Sequence, residues 1–137
     1  MINRGLFSSA SIDWSTPKGV YQSLNKEFHF DDDPCPLDAA ARALYSDDGL
    51  ARPWGERVFI NPPYGKAITP WLQRAYEEGQ AGKLVVCLIP SRTDTRWFHD
   101  YVMKAEEIRF IKGRLKFGDA KNSAPFPSAV VIFGGGE

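Results

Sequence analysis

Asn61, Pro62, Pro63 and Tyr64 stand in succession, behind the apolar run Val58-Phe59-Ile60 and ahead of Gly65. This order predicts a short strand that stops in a turn unable to be helical. Two consecutive prolines fix φ and remove two backbone donors, and Asn61, lying before Pro62, is held toward extended backbone. The product is a stiff ledge at a strand's carboxyl end, where open α/β sheets bind their ligands. Such a ledge suits the capture of an exocyclic amine. The Asn61 amide oxygen accepts one N–H, the Pro62 carbonyl accepts the other, and together they draw electron density toward the amine nitrogen. The Tyr64 ring can stack on the ring that carries the amine, a contact worth ~1–3 kcal/mol. The competing reading is a proline-rich turn or a polyproline ligand. It fits less well, because such ligands sit in disordered segments and not behind a buried strand.

The surrounding elements must position that ledge. Thr16 is expected to cap a helix with Pro17 at its first position, and Val20, Tyr21, Leu24 and Phe28 follow at helical spacing. Residues 28–33 predict a short strand ending near Asp33, with a turn at Pro34-Cys35-Pro36 and a short helix over Asp38–Leu44. After the ledge, Thr69-Pro70 repeats the cap-plus-proline start. Trp71, Leu72, Ala75 and Tyr76 form the apolar face of that helix, and Gly82 ends it. Leu84–Ile89 is an unbroken apolar run, the pattern of a strand buried on both faces. Thr93 or Asp94 is expected to cap a helix carrying Trp97, Phe98, Tyr101 and Val102. Ile108–Ile111 predicts a strand, Gly113 a turn into a hairpin arm over Arg114–Gly118, Asp119–Ser123 a polar loop, and Ser128–Phe133 a last strand. Alternating strands and helices, with successive strands only at the end, predict an α/β fold with a mostly parallel sheet and an antiparallel C-terminal strand.

A chain of 137 residues has room for one domain. Its 17 basic and 17 acidic residues cancel, so any attraction to nucleic acid must come from a local patch. The densest candidates are Arg92 and Arg96 after the buried strand, and Lys112, Arg114 and Lys116 in the expected hairpin. They would contact phosphates, or serve equally well as a solvated edge that deters strand pairing. No leader or membrane-spanning run is expected. Cys35 and Cys87 match neither a zinc nor a redox spacing. His29, His99, Trp54, Trp71, Trp97, Phe117 and Phe126 are expected to be structural.

The tetrad, with Trp14-Ser15-Thr16-Pro17, Phe30-Asp31-Asp32-Asp33, Asp48-Gly49-Leu50, Trp54, Gly113–Phe117 and Pro125–Ser128, resembles the small phage-type DNA N6-adenine methyltransferases across roughly residues 13–133. The resemblance implies a compact Rossmann-like methyltransferase domain, a three-layer sandwich over 1–137 with a flexible arm at 1–12, and S-adenosyl-L-methionine as cofactor. It implies that Asn61, Pro62, Pro63 and Tyr64 are catalytic. Thr16, Pro17, Asp33, Pro34, Cys35, Asp48, Leu50 and Asn61 would contact the cofactor. Where that family carries a glycine-rich turn after Asp-Pro, this chain has Pro36-Leu37-Asp38, so its cofactor cradle must be built differently. DNA is the implied partner, with no membrane and with a homodimer as one arrangement, in the cytoplasm of a bacterial host. Other amine acceptors (RNA adenine, cytosine N4, protein glutamine) and an inactive DNA-binding module are the alternative readings.

Overall fold

The computed structural model describes residues 16–35, 49–117 and 123–135. The expected arm over 1–12, the 38–44 helix, Asp47, Asp48 and the 119–122 portion of the polar loop lie outside those residues.

Helix α1 (Lys18–Phe28) is followed by strand β1 (Arg57–Ile60), a 3-10 turn (Gly65–Ala67) and helix α2 (Ile68–Gln80). Strand β2 (Leu84–Pro90), short helix α3 (Arg96–Asp100), a second 3-10 turn (Val102–Lys104), β3 (Glu107–Phe110) and β4 (Ser128–Phe133) complete the order. The sheet runs β1-β2-β4-β3. β1 and β2 are parallel, with Phe59 opposite Val86, and β4 is antiparallel to both of its neighbours. Strands β1, β2 and β3 therefore point the same way, and the last strand in the chain is wedged between β2 and β3. This is the expected mixed sheet.

Alternation along the strands sorts the core into two layers. Val58, Ile60, Val85, Cys87, Ile89, Val131 and Phe133 pack with Ile68, Trp71, Leu72 and Ala75 of α2 and Phe98 of α3. Phe59, Val86, Leu88, Val130 and Ile132 face the other way, onto Leu24 of α1 and onto Phe117 and Phe126. All seven residues of β2 are buried, as the apolar run predicts. Gly134, with φ +69, turns the chain out of β4 where a Cβ would lie 2.0 Å from the Lys83 carbonyl oxygen.

Several local expectations are corrected. The 28–33 strand shrinks to one parallel bridge, Asp32 to Val58, with backbone bonds from Asp31 N to Arg57 O and from Phe59 N to Asp32 O, and the aspartate carboxylates tie the segment to β1 as well. Asp31 Oδ1 accepts from Arg57 N at 3.0 Å, and Asp32 Oδ2 from Gly55 N at 2.9 Å. Residues 114–117 form no strand. Phe117 turns into the core and is 1% exposed, and the chain there keeps one backbone bond, Ala124 N to Leu115 O at 2.7 Å. The N-cap of α1 is Pro17. Helix α2 grows out of the preceding 3-10 turn with Ala67 as cap, leaving Pro70 in the first turn, where a missing N–H is harmless. Thr95 caps α3, its hydroxyl accepting from Phe98 N.

The 28–35 segment is also tied down by charge. Arg52 donates from both terminal nitrogens to the Asp32 carboxylate, at 2.9 and 2.8 Å. Those bonds, helped by Gly55 N–H and opposed by partial burial, hold the Asp32 carboxyl below its ordinary value. A depressed carboxyl pKa stabilises the fold above the unfolded value of about 4 and loses that contribution as pH falls below it. Arg52→Gln is therefore expected to be slightly less stable than wild type at pH 7, by under about 1 kcal/mol because Arg52 is half exposed. The difference should close near pH 3. Urea unfolding at pH 7 and pH 3 checks this; a gap that persists at pH 3 would mean the arginine acts through packing.

Candidate active site

β1 delivers the ledge. Phe59 and Ile60 are fully buried on opposite faces of the sheet, so the strand cannot slip, and Asn61 emerges with 0% exposure. Its amide is held at both ends. Nδ2 donates to Thr16 Oγ1 at 3.0 Å, across 45 positions of sequence. Oδ1 accepts from the Tyr64 hydroxyl at 2.8 Å, and that hydroxyl lies 3.4 Å from the Leu88 carbonyl oxygen. The Tyr64 ring is set edgewise against Phe126 and Phe117, with centroids 5.6 and 6.3 Å away. Pro62 is buried and Pro63 half-buried.

This geometry corrects the expectation in two respects. The Asn61 oxygen does not project openly, because the Tyr64 hydroxyl already sits on it. An amide oxygen has two lone pairs, so an incoming amine uses the second or replaces the hydroxyl. Thr16 is no helix cap; its hydroxyl is engaged by the ledge. Phe117 and Phe126 are core residues, as expected, and they also brace the tyrosine.

The residues implied for the cofactor divide into groups. Thr16 meets Asn61 directly, with Pro17 beside it. Asp33 is half-buried, and its charge adds to burial in raising the Tyr21 phenol pKa. Pro34 and Cys35 are buried, and the Cys35 side chain belongs to the core. Residues 49–50 close against them. A Cβ on Gly49 would fall 2.1 Å from the Pro34 oxygen, Trp54 Nε1 donates to the Gly49 carbonyl at 2.7 Å, and Leu50 packs on the same core layer. A carboxylate, a threonine hydroxyl and apolar walls match the ammonium and sulfonium groups and the aliphatic chain of S-adenosylmethionine. Asp48 lies outside the described residues.

A cavity of about 470 Å³ opens beside Tyr64, between the loops that follow β1 and β2. That volume falls within the range of about 300–1,000 Å³ typical of small-molecule sites. Lys66, Thr69, Pro90, Arg92 and Trp97 contribute to its wall. Sequence reasoning missed Lys66 and Thr69 and placed Trp97 in the core, whereas Trp97 is half-buried and lines the cavity. The signal that could have found it is its place shortly after the buried strand's carboxyl end.

Arg92, Arg96, Lys112, Arg114 and Lys116 are all exposed. They follow the carboxyl ends of β2 and β3, on the ledge's edge of the sheet. None forms an ion pair with a described residue, whereas Arg52, Arg74, Lys83 and Arg109 all do. The Arg92 guanidinium lies 5.5 Å from the centre of the Phe126 ring, next to the tyrosine's brace. His99 bonds the Thr93 carbonyl at 2.7 Å, and His29 closes α1 at φ 55; both are structural. Among the described residues, no helix is long and apolar enough to cross a membrane.

Comparison with known proteins adds a family. The profile of the family described as DNA N-6-adenine-methyltransferase (Dam) matches residues 7–131. The DNA N-6-adenine-methyltransferase of Escherichia phage T1 is 31% identical over 113 residues, covering 74% of this chain and 45% of that protein. The DNA N-6-adenine-methyltransferase of Haemophilus phage HP1 (strain HP1c1) is 28% identical over 134 residues, covering 88% of this chain and 77% of that protein. The chain thus spans less than half the length of the phage T1 relative. No solved structure matches it.

Proposed function

Because this chain belongs to the DNA N-6-adenine-methyltransferase (Dam) family, we propose that it transfers a methyl group from S-adenosylmethionine to the N6 amine of adenine in DNA. The observation that carries the proposal is the doubly held Asn61 amide at the carboxyl end of β1, buried behind Tyr64, whose hydroxyl bonds the amide oxygen and which itself lines an open cavity. The three layers and the position of that edge agree with a compact Rossmann-like methyltransferase domain.

Adenine N6 is a weak nucleophile because its lone pair is delocalised into the ring, and the base is stacked in duplex DNA. Extruding it costs a few kcal/mol. The cavity beside Tyr64 gives it a destination, with the Tyr64 ring as stacking surface. Asn61 Oδ1 and the Pro62 carbonyl then accept the amine hydrogens, favouring tetrahedral character at N6 as positive charge develops. Acceptors fixed in advance stabilise that charge without reorganising. S-adenosylmethionine supplies an electrophilic methyl group when bound. Thr16, Pro17, Asp33, Pro34, Cys35 and Leu50 would hold it, with Asp33 opposite its ammonium group. Arg92, Arg96, Lys112, Arg114 and Lys116 would meet phosphates, which fits cations that pair with no described carboxylate. The phage relatives support a role in the cytoplasm of a bacterial host. A homodimer would enlarge the DNA-reading surface.

Tritiated-methyl transfer to unmethylated DNA, RNA and protein pools tests the reading. The expected product is labelled N6-methyladenine in DNA. Label confined to RNA or protein would move the substrate class, and absence of both label and calorimetric heat with S-adenosylmethionine would leave a DNA-binding module.

A further inference from the structure

We propose that Thr16 is a positioning residue for methyl transfer: its hydroxyl fixes the orientation of the Asn61 amide, so that the oxygen and not the NH₂ faces Tyr64 and the arriving amine. The inference rests on the amine-methylation reading of the ledge.

The two ends of a carboxamide have nearly the same shape and opposite hydrogen-bonding character. A ledge that presents Nδ2 would repel an amine donor, so the site works in only one of two sterically similar arrangements. Packing cannot choose between them, and hydrogen bonds must. Asn61 is 0% exposed, so its NH₂ requires a protein acceptor. Thr16 Oγ1 lies 3.0 Å from Nδ2 and is itself 7% exposed. At the other end the Tyr64 hydroxyl is placed to donate to Oδ1 at 2.8 Å. If Thr16 is deprived of its oxygen, Nδ2 loses that acceptor, and turning the amide over would set it where Oδ1 now lies, 2.8 Å from a tyrosine hydroxyl that can also accept. Thr16 adjoins Pro17 and α1, while Asn61 ends β1, so a single hydrogen bond joins the cofactor side of the site to the amine side. The geometry also explains why the Thr16 hydroxyl does not cap α1, which has no side-chain cap.

The decisive variants are Thr16→Val, which keeps the shape and removes the oxygen, and Thr16→Ser, which keeps the oxygen. With saturating S-adenosylmethionine, Thr16→Val is expected to lower kcat for DNA methylation by about 10- to 100-fold, the scale of a small misplacement of a reacting group. Because Thr16 also belongs to the cofactor set, the Kd for S-adenosylmethionine is measured for each variant and the rate is read at saturation; Thr16→Ser should recover most of that rate. A Thr16→Val rate equal to wild type overturns the proposal, as does a loss that disappears when the cofactor is raised to saturation. A second readout does not depend on activity. The Asn61 side-chain NH₂ signals in an amide NMR spectrum should be slowed in hydrogen exchange in wild type and in Thr16→Ser, and displaced in Thr16→Val. If Asn61 exchanges like an exposed amide in the wild-type protein, the proposal fails even where methylation is observed. If it is protected but the wild-type protein methylates no DNA, the amine-methylation reading fails and the orientation by Thr16 stands.

Discussion

Asn61→Ala is expected to reduce methyl transfer to DNA adenine by about 10²–10³-fold, the loss seen when one preorganised charge-stabilising group is removed from an active site. Two features make the effect large. The amide oxygen is the side-chain acceptor that β1 fixes before substrate arrives, and its 0% exposure means that no bulk water replaces it. Truncation also takes a buried hydrogen-bond partner from the hydroxyls of Thr16 and Tyr64, so a stability loss of about 1–3 kcal/mol should accompany it. Affinity for S-adenosylmethionine should change far less, because Thr16, Asp33 and the 34–35 and 49–50 segments remain. Single-turnover methyl transfer, cofactor calorimetry and thermal unfolding on the same preparation separate these outcomes. Undiminished transfer by a folded variant would remove the ledge from the chemistry.

Phe59→Ala should produce the largest loss of stability, about 3–5 kcal/mol, the usual cost of emptying a buried phenylalanine site. Phe59 is fully buried, and its ring lies 5.2 Å from that of Tyr21 and 5.3 Å from that of Phe30. It therefore joins α1, the 28–35 segment and the strand that ends at Asn61. Urea denaturation should show the midpoint shift, and activity should fall before the fold is lost, since the same ring aligns the two halves of the site. A loss below about 1 kcal/mol would mean that the surrounding aromatics collapse to fill the space.

The strand Leu84–Pro90 and the ledge were legible from sequence because their signals are local: an unbroken apolar run, and a proline pair that forbids helix. Helix α2 was legible for the same reason, through Trp71, Leu72 and Ala75. Its start was not, because Thr69 is an adequate cap by type and lost only to a 3-10 turn that enters from Gly65. Thr16 is the clearest miss. Its sequence context is that of a helix cap, and nothing nearby announces that a buried amide far along the chain takes the hydroxyl instead. The aspartates at 31 and 32 look like a strand end or a cation loop until Arg52, Gly55 and Arg57 are brought to them. The hairpin over 114–118 failed because the core needed Phe117 more than the sheet edge needed another strand. The residues of the ledge could be singled out by type, whereas their hydrogen-bond directions depended on contacts between distant segments.

The wedging of β4 between β2 and β3 has a consequence for how the molecule is made. During synthesis β3 leaves the ribosome before the one strand that flanks it, and β2 has a single neighbour until residues 128–133 are available. Much of the sheet's pairing is thereby deferred until residues 128–133 have been made, and such long-range pairing is slow to form. Until then the β2 edge and the unpaired β3 are the surfaces on which a nascent chain would meet other chains or a chaperone.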